Sequence, residues 1–173
     1  MSMELFAGFA ILIAVAGVMW RSRTVQLGKR LFGPTCQIRY VHQRWVIEAM
    51  LNGRRVRYTT GGMNWFPALT YLLVESPVST EFAATQSEIT GAIPASIRET
   101  IVSLRRTNGF RRIDAMHAGS SPISTAGRVS WLHPGDGIML RRYTSKGGDE
   151  SMIRKDIELL QGIADALKRS TSQ

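Results

Sequence analysis

Cysteine and histidine are scarce in this chain of 173 residues, which has one cysteine and three histidines. A single cysteine, Cys36, excludes an internal disulfide and fits a reducing compartment. None of the histidines, His42, His117 and His133, has another histidine, a cysteine or a paired acid at the spacing of a zinc site. The sequence therefore predicts neither a metal site nor a cofactor.

Signatures of catalysis and nucleotide binding are also missing. The chain contains no G-x-G-x-x-G, no G-x-x-x-x-G-K-[ST] and no G-x-S-x-G pattern. The pairs Gly61-Gly62 and Gly147-Gly148 are too short to form a phosphate-binding loop. We therefore predict no catalytic residue, no small-molecule substrate and no enzymatic activity. A tethered enzyme whose site is assembled from unconnected residues stays open as an alternative.

No lysine or arginine precedes the single long apolar run, residues 5–20, which reads LFAGFAILIAVAGVMW. A signal peptide begins with a basic segment, so the run does not match one, although Ala14-Val15-Ala16 resembles a cleavage site. A helix of this length covers ~24 Å against a hydrocarbon core of ~30 Å, and the flanking residues can close that gap. We predict one transmembrane helix, with a buried core helix as the alternative.

Acids, histidines and cysteines are absent from this run. The helix therefore has no axial ligand for a haem or chlorophyll and no proton relay. Small residues recur at helical spacing along one side of the run: Ala7, Ala10, Ala14 and Gly17. Small residues let another helix approach closely, and close packing drives association in lipid. We predict that this face packs on the helices of other integral-membrane subunits, although ordinary composition would also explain it.

Positive charge is concentrated directly after the run. The net charge is +9, and residues 21–57 hold nine basic residues and one acid. The positive-inside rule then predicts an inner (cytoplasmic or intracytoplasmic) membrane, with the N-terminus outside and the C-terminal domain cytoplasmic. Contacts with anionic lipid head groups or acidic partners are predicted for Arg21, Arg23, Lys29, Arg30, Arg54, Arg55 and Arg57. Nucleic acid is disfavoured because aromatic residues are not concentrated among these arginines.

The rest of the chain has the pattern of an α+β domain. We predict an anchor over residues 1–22, a basic juxtamembrane linker over 23–34 and a cytoplasmic α+β domain over 35–173. The domain is expected to contain a mostly antiparallel sheet with two helices packed on one face, because most links between its strands are short.

The clearest local signal is the pair Asn52-Gly53 between two alternating segments, which predicts a two-residue hairpin. Its register places Glu48 opposite Arg57, and its basic charge suggests a sheet edge. Further strands are predicted at 36–41, 70–75, 81–85, 110–117, 123–132 and 138–143. One helix is predicted from Pro94 to Asn108-Gly109. A second runs from Asp149 to Arg169, with an apolar stripe of Ile153, Ile157, Leu160, Ala164 and Leu167.

Function can be inferred here only from architecture. The leading hypothesis is a non-catalytic accessory subunit of a larger integral-membrane complex, such as a photosynthetic or respiratory assembly. A membrane-tethered module that binds an acidic ligand or nucleic acid is the first alternative, and the tethered enzyme is the second.

Overall fold

The computed structural model describes residues 3–41, 44–60, 68–117, 136–144 and 149–169. Within these ranges there are three helices: α1 Met3–Phe32, α2 Ala95–Arg105 and α3 Glu150–Arg169. The strands in the same ranges are β1 Gln37–Val41, β2 Arg44–Leu51, β3 Arg54–Thr60, β4 Ala68–Glu75, β5 Phe82–Thr85, β6 Ile89–Gly91, β7 Phe110–Met116 and β8 Gly137–Thr144. The predicted strand 123–132 and the turn containing His133 lie outside the described residues, as does His42.

The eight strands form one sheet in the order β1-β2-β3-β4-β8-β7-β5-β6, and every neighbouring pair is antiparallel. The α+β class is therefore confirmed, with an antiparallel sheet and a long apolar helix at the N-terminus. β6 has only three residues and was not predicted from the sequence.

The hairpin at Asn52-Gly53 has its predicted register. Both turn residues have positive φ, 52° and 74°, as a type I′ turn requires, and Glu48 pairs with Arg57. The expectation that this hairpin forms a sheet edge is wrong. β1 pairs with β2 and β4 pairs with β3, so both strands of the hairpin are interior, and β1 and β6 are the outermost of the described strands.

The helices cover one face of the sheet and share a core with it. Ile47, Val56 and Leu140 of the sheet are fully or almost fully buried in the same cluster as Ile101 of α2 and Leu160 of α3. All five residues of the predicted apolar stripe on α3 are at most 5% exposed. The carboxylate of Asp149 accepts the N–H of Ser151 at 2.9 Å and so caps that helix.

α2 lies close to its predicted position. It begins at Ala95, one residue after Pro94, which occupies the N-cap. It ends at Arg105, and Gly109 (φ 74°) follows in the turn before β7. A Cβ at Gly109 would clash with the carbonyl oxygen of Tyr143, so this turn requires glycine for both conformation and space.

The segment predicted as a linker, 23–34, is helical as far as Phe32 and belongs to α1. Thr24, Leu31 and Phe32 are buried, and Leu27 packs against the core. These positions recur at helical spacing, so residues 24–32 present a continuous face to the domain. Gly33 ends the helix with φ 83°, and its N–H donates to the carbonyl of Lys29 at 2.9 Å.

Close packing at Gly28 holds α1 against the sheet. A Cβ built there would lie 3.2 Å from Cys36 Sγ and 3.2 Å from Ile47 Cγ2. We expect Gly28→Leu to lower the free energy of unfolding by about 1–3 kcal/mol, because the side chain would force the helix away from β1 and β2. Urea denaturation in detergent measures this. Gly8→Leu, with no atom within 4 Å of its Cβ, is the control and should leave domain stability unchanged. Equal stability of the two variants would contradict the prediction.

Candidate functional site

Among the residues that the structure describes, none covers the apolar side chains in the first half of α1. The stretch Phe6–Phe32 is long and apolar enough to cross a membrane by length and composition. Eight large apolar side chains on it are 50 to 70% exposed: Phe6, Phe9, Ile11, Leu12, Ile13, Val15, Val18 and Met19. Exposed apolar surface of this extent marks a region that another apolar phase covers. We call residues 6–20 the projecting helix.

Large and small residues of the projecting helix occupy different sectors. At ~100° per residue, the eight large side chains are spread over about two thirds of the circumference. The remaining sector is the small-residue face, formed by Ala7, Ala10, Ala14 and Gly17, and a Cβ at Gly17 would meet no atom within 4 Å. A helix that is apolar all round suits a membrane, and a small-residue sector suits close approach of a second helix.

A basic collar follows the projecting helix and consists of Arg21, Arg23, Lys29 and Arg30. The first three are exposed. The side chain of Arg30 is 61% exposed, and its Nε lies 3.1 Å from a carboxylate oxygen of Glu150. An exposed ion pair of this kind contributes at most about 1 kcal/mol, so Arg30 can exchange Glu150 for another anion at little cost.

The three predicted hairpin arginines are engaged within the chain. Arg57 has a 9% exposed side chain and lies 2.8 Å from Glu48 and 3.1 Å from Glu75, and Arg55 approaches the same two acids at 3.4 and 3.6 Å. Arg54 donates to Asp165 at 2.7 Å. The seven predicted basic contact residues thus fall into two groups, the collar and these ion-paired arginines. External contact is proposed below for the collar.

A second charged cluster lies on the sheet face away from the helices, which we call the second face. Asp114 is 1% exposed and accepts from Arg112 Nε at 2.6 Å, and Arg141 Nη2 lies 3.3 Å from its other oxygen. The guanidinium groups of Arg44 and Arg141 lie 5.0 and 5.9 Å from the ring centroid of Tyr71. Between this cluster and the hairpin arginines lies an apolar group made of Val46, Leu73, Met116 and Met139.

Another arginine–tyrosine pair stands beside this cluster. The guanidinium of Arg111 is 4.2 Å from the ring centroid of Tyr143, a residue that is 40% exposed. The fold therefore brings tyrosines next to arginines that are distant in sequence. The sequence alone does not predict these pairs. The one signal available was Asp114, an acid between the apolar residues Ile113 and Ala115 of a strand.

A buried polar cluster lies under α3. Arg142 donates to both oxygens of Asp156, at 2.6 and 2.8 Å, and to the Thr107 hydroxyl at 2.6 Å. With Tyr58 it borders a cavity of about 10 Å³, room for about one water molecule. Burial raises the pKa of Asp156, and the hydrogen bonds and charge of Arg142 oppose that rise. Burial likewise raises the pKa of Tyr58 above its usual value. The hydrogen bonds of Arg142 thus connect β8 to α3 and to the turn before β7.

The remaining nucleophilic and metal-ligating side chains are dispersed. Cys36 is half-buried and packs against Gly28 of α1. His117 Nδ1 lies 3.5 Å from a carboxylate oxygen of Asp136, and both side chains are partly exposed. Among the residues that the structure describes, no three histidines, cysteines or acids stand close enough together to hold a metal ion.

Comparison of the chain with protein-family models, with curated proteins and with solved structures yields no match.

Proposed function

We propose that this protein is a non-catalytic, single-span accessory subunit of a larger integral-membrane assembly. The observation that carries the proposal is the projecting helix, whose eight large apolar side chains are 50 to 70% exposed. Water is a poor solvent for such a helix, whereas lipid and the helices of partner subunits would cover its whole circumference. The small-residue face supplies the sector on which a partner helix would pack.

The proposed orientation is N-terminus outside and domain in the cytoplasm. Arg21, Arg23, Lys29 and Arg30 follow the apolar run, and no basic residue precedes it, which supports this orientation through the positive-inside rule. Proteolysis of intact spheroplasts and of inverted vesicles tests it. We expect residues 31–173 to be digested only in inverted vesicles, and digestion in spheroplasts would reverse the orientation.

Gentle detergent extraction followed by native mass spectrometry tests membership of a complex. We expect the chain to migrate with a large assembly at fixed stoichiometry, and respiratory and photosynthetic complexes are the first to examine. Recovery of the chain as a free monomer under conditions that preserve known membrane complexes would refute the proposal.

The small-residue face gives a sharper test. We expect Ala10→Leu with Ala14→Leu to reduce the assembled fraction severalfold, because two isobutyl groups would keep a partner helix from close approach. Ala16→Leu is the matched control, since Ala16 lies on the other side of the helix and should leave assembly unchanged. Native gel electrophoresis of membrane extracts measures the assembled fraction. Equal assembly in both variants would remove the case for this face.

A membrane-tethered binding module is the second candidate. It is favoured by the arginine–tyrosine pairs of the second face, particularly Arg111 beside the partly exposed Tyr143. Guanidinium groups held over aromatic rings are preorganised for acidic ligands. A chain that is monomeric in membranes but retains a soluble acidic ligand, and loses it on Arg111→Gln, would favour this candidate over a subunit.

A further inference from the structure

The apolar helix does not end where the predicted membrane ends. Trp20 closes the apolar run, and the same helix continues without a break to Phe32. Thr24, only four residues after Trp20, is 3% exposed, and its hydroxyl donates to the carbonyl of Trp20 at 3.0 Å. Leu31 and Phe32 are 5% and 7% exposed within the main core. The end of the helix is therefore part of the domain.

Several contacts fix this end in place. Gly28 lies against Cys36 of the turn before β1 and Ile47 of β2, and a Cβ there would be 3.2 Å from a side-chain atom of each, closer than ordinary van der Waals contact. From α3, Glu150 pairs with the Arg30 guanidinium at 3.1 Å, and the Arg154 guanidinium donates to the Arg30 carbonyl. The helix is thus held by the sheet on one side and by α3 on another, so it cannot pivot at the edge of the domain without breaking core contacts.

The geometry also limits how far the domain can stand from lipid. Four residues of α-helix rise ~6 Å, so the first buried residue, Thr24, follows the end of the apolar run by that distance. Each leaflet carries a polar headgroup layer of roughly 5–8 Å outside the hydrocarbon core. A tilt of the helix would shorten the separation further. Arg21 and Arg23 lie ~2 and ~5 Å beyond Trp20, inside that layer, whereas Lys29 lies ~14 Å beyond it.

We propose that the domain is seated directly on an anionic lipid surface, with Arg21 and Arg23 on lipid phosphates, and that anchor and domain form one rigid body. This inference rests on the proposed membrane span and goes beyond it, because a flexible tether would serve the span equally well. It divides the basic collar by function: the first two arginines contact lipid, and Lys29 faces the aqueous phase. Charge complementarity supports the choice of lipid, since basic residues close to an anionic membrane surface are attracted to it.

Neutron reflectometry of the full chain in a supported bilayer of phosphatidylcholine and phosphatidylglycerol (3:1) tests the seating. We expect protein density to run from the hydrocarbon core into the domain with no intervening water layer. A variant with Gly-Ser-Gly-Ser-Gly-Ser inserted between Arg23 and Thr24 should show such a layer. A water layer beneath the domain of the unmodified chain, or an identical profile for both chains, would overturn the inference.

The lipid contact has its own test. In nanodiscs of the same lipids, we expect the lipid that co-purifies with the chain to be enriched in phosphatidylglycerol. The enrichment should vanish in Arg21→Gln with Arg23→Gln and persist in Lys29→Gln. Loss in Lys29→Gln alone would contradict the assignment of lipid contact to Arg21 and Arg23, and no enrichment in the unmodified chain would remove lipid as the partner. These outcomes are distinguishable from failure of the span itself, which would leave no protein density in the hydrocarbon core.

Discussion

Replacing Leu12 and Val15 by arginine is expected to abolish stable association of the chain with membranes. An arginine near the centre of a spanning helix costs about 2.5–3.5 kcal/mol on insertion scales, so two cost about 5–7 kcal/mol. Both positions lie near the middle of the apolar run, and their side chains are 67% and 51% exposed. The substitutions therefore remove no contact from the domain. The fraction of chain retained in the membrane pellet after carbonate washing measures the effect.

Leu12→Phe with Val15→Leu is the matched control and should be retained like the unmodified chain. Thermal unfolding of the domain should be the same in all three proteins, because the projecting helix has no contact with the core in this region. If the double-arginine variant resisted carbonate extraction as well as the control, the apolar run would not be the anchor.

Arg142→Met is expected to lower the free energy of unfolding by about 3–5 kcal/mol, because it leaves the buried carboxylate of Asp156 without its charge partner. The Arg142 side chain is 5% exposed and donates to both oxygens of Asp156, so solvent cannot replace it. Urea denaturation followed by near-ultraviolet circular dichroism gives the free energy. The double variant Arg142→Met with Asp156→Leu should recover most of the loss, since no charge then remains buried.

The loss of unfolding free energy in Arg142→Met should also depend on pH, and the raised pKa of Asp156 determines the direction of that dependence. Without Arg142, nothing opposes the rise caused by burial, so the folded variant takes up a proton at a pH where the unfolded chain remains ionised. Its stability therefore increases as the pH falls through the folded pKa and levels off below the unfolded value of ~3.9. The stability of Arg142→Met should rise on acidification, whereas the double variant, which has no carboxylate at position 156, should lack this rise. A deficit that grew at low pH would show that Asp156 is not the unpaired charge.

Short sequence patterns predict most of the strands and helices. The pair Asn52-Gly53 and the alternation on either side of it fixed one register, and Glu48 opposite Arg57 is confirmed. The buried stripe of α3 is confirmed for the same reason, since burial of a helix face follows from its period. These signals need no knowledge of distant residues.

The errors occurred where distant residues decide the structure. The sequence predicts a basic linker over 23–34 from its charge, and the structure shows that residues 23–32 belong to α1 and pack on β2 and α3. The hairpin was expected at a sheet edge, but strand order is set by long-range pairing that its own sequence does not encode.

The candidate site divides in the same way. The projecting helix and the collar could be predicted, because both are contiguous in sequence. The ion pairs Arg142–Asp156 and Asp114–Arg141 could not be predicted, because they form only when separate strands and helices pack together. The sequence predicts the pairing of Arg57 with Glu48, but not its second ion pair with Glu75 of β4 or the burial of its side chain.

The pairing of β4 with β8 has a consequence for biosynthesis. These central strands join residues far apart in the chain, such as Ala68 with Thr144, and α3, which packs on the end of α1, follows β8 in the sequence. Non-local pairing closes slowly because loop entropy must be overcome first. If α1 spans a membrane as proposed, it would meet the bilayer before β4 can pair with β8, and β4 would have no partner on that edge until then. Under the proposed membrane span, targeting to the bilayer would therefore precede completion of the sheet.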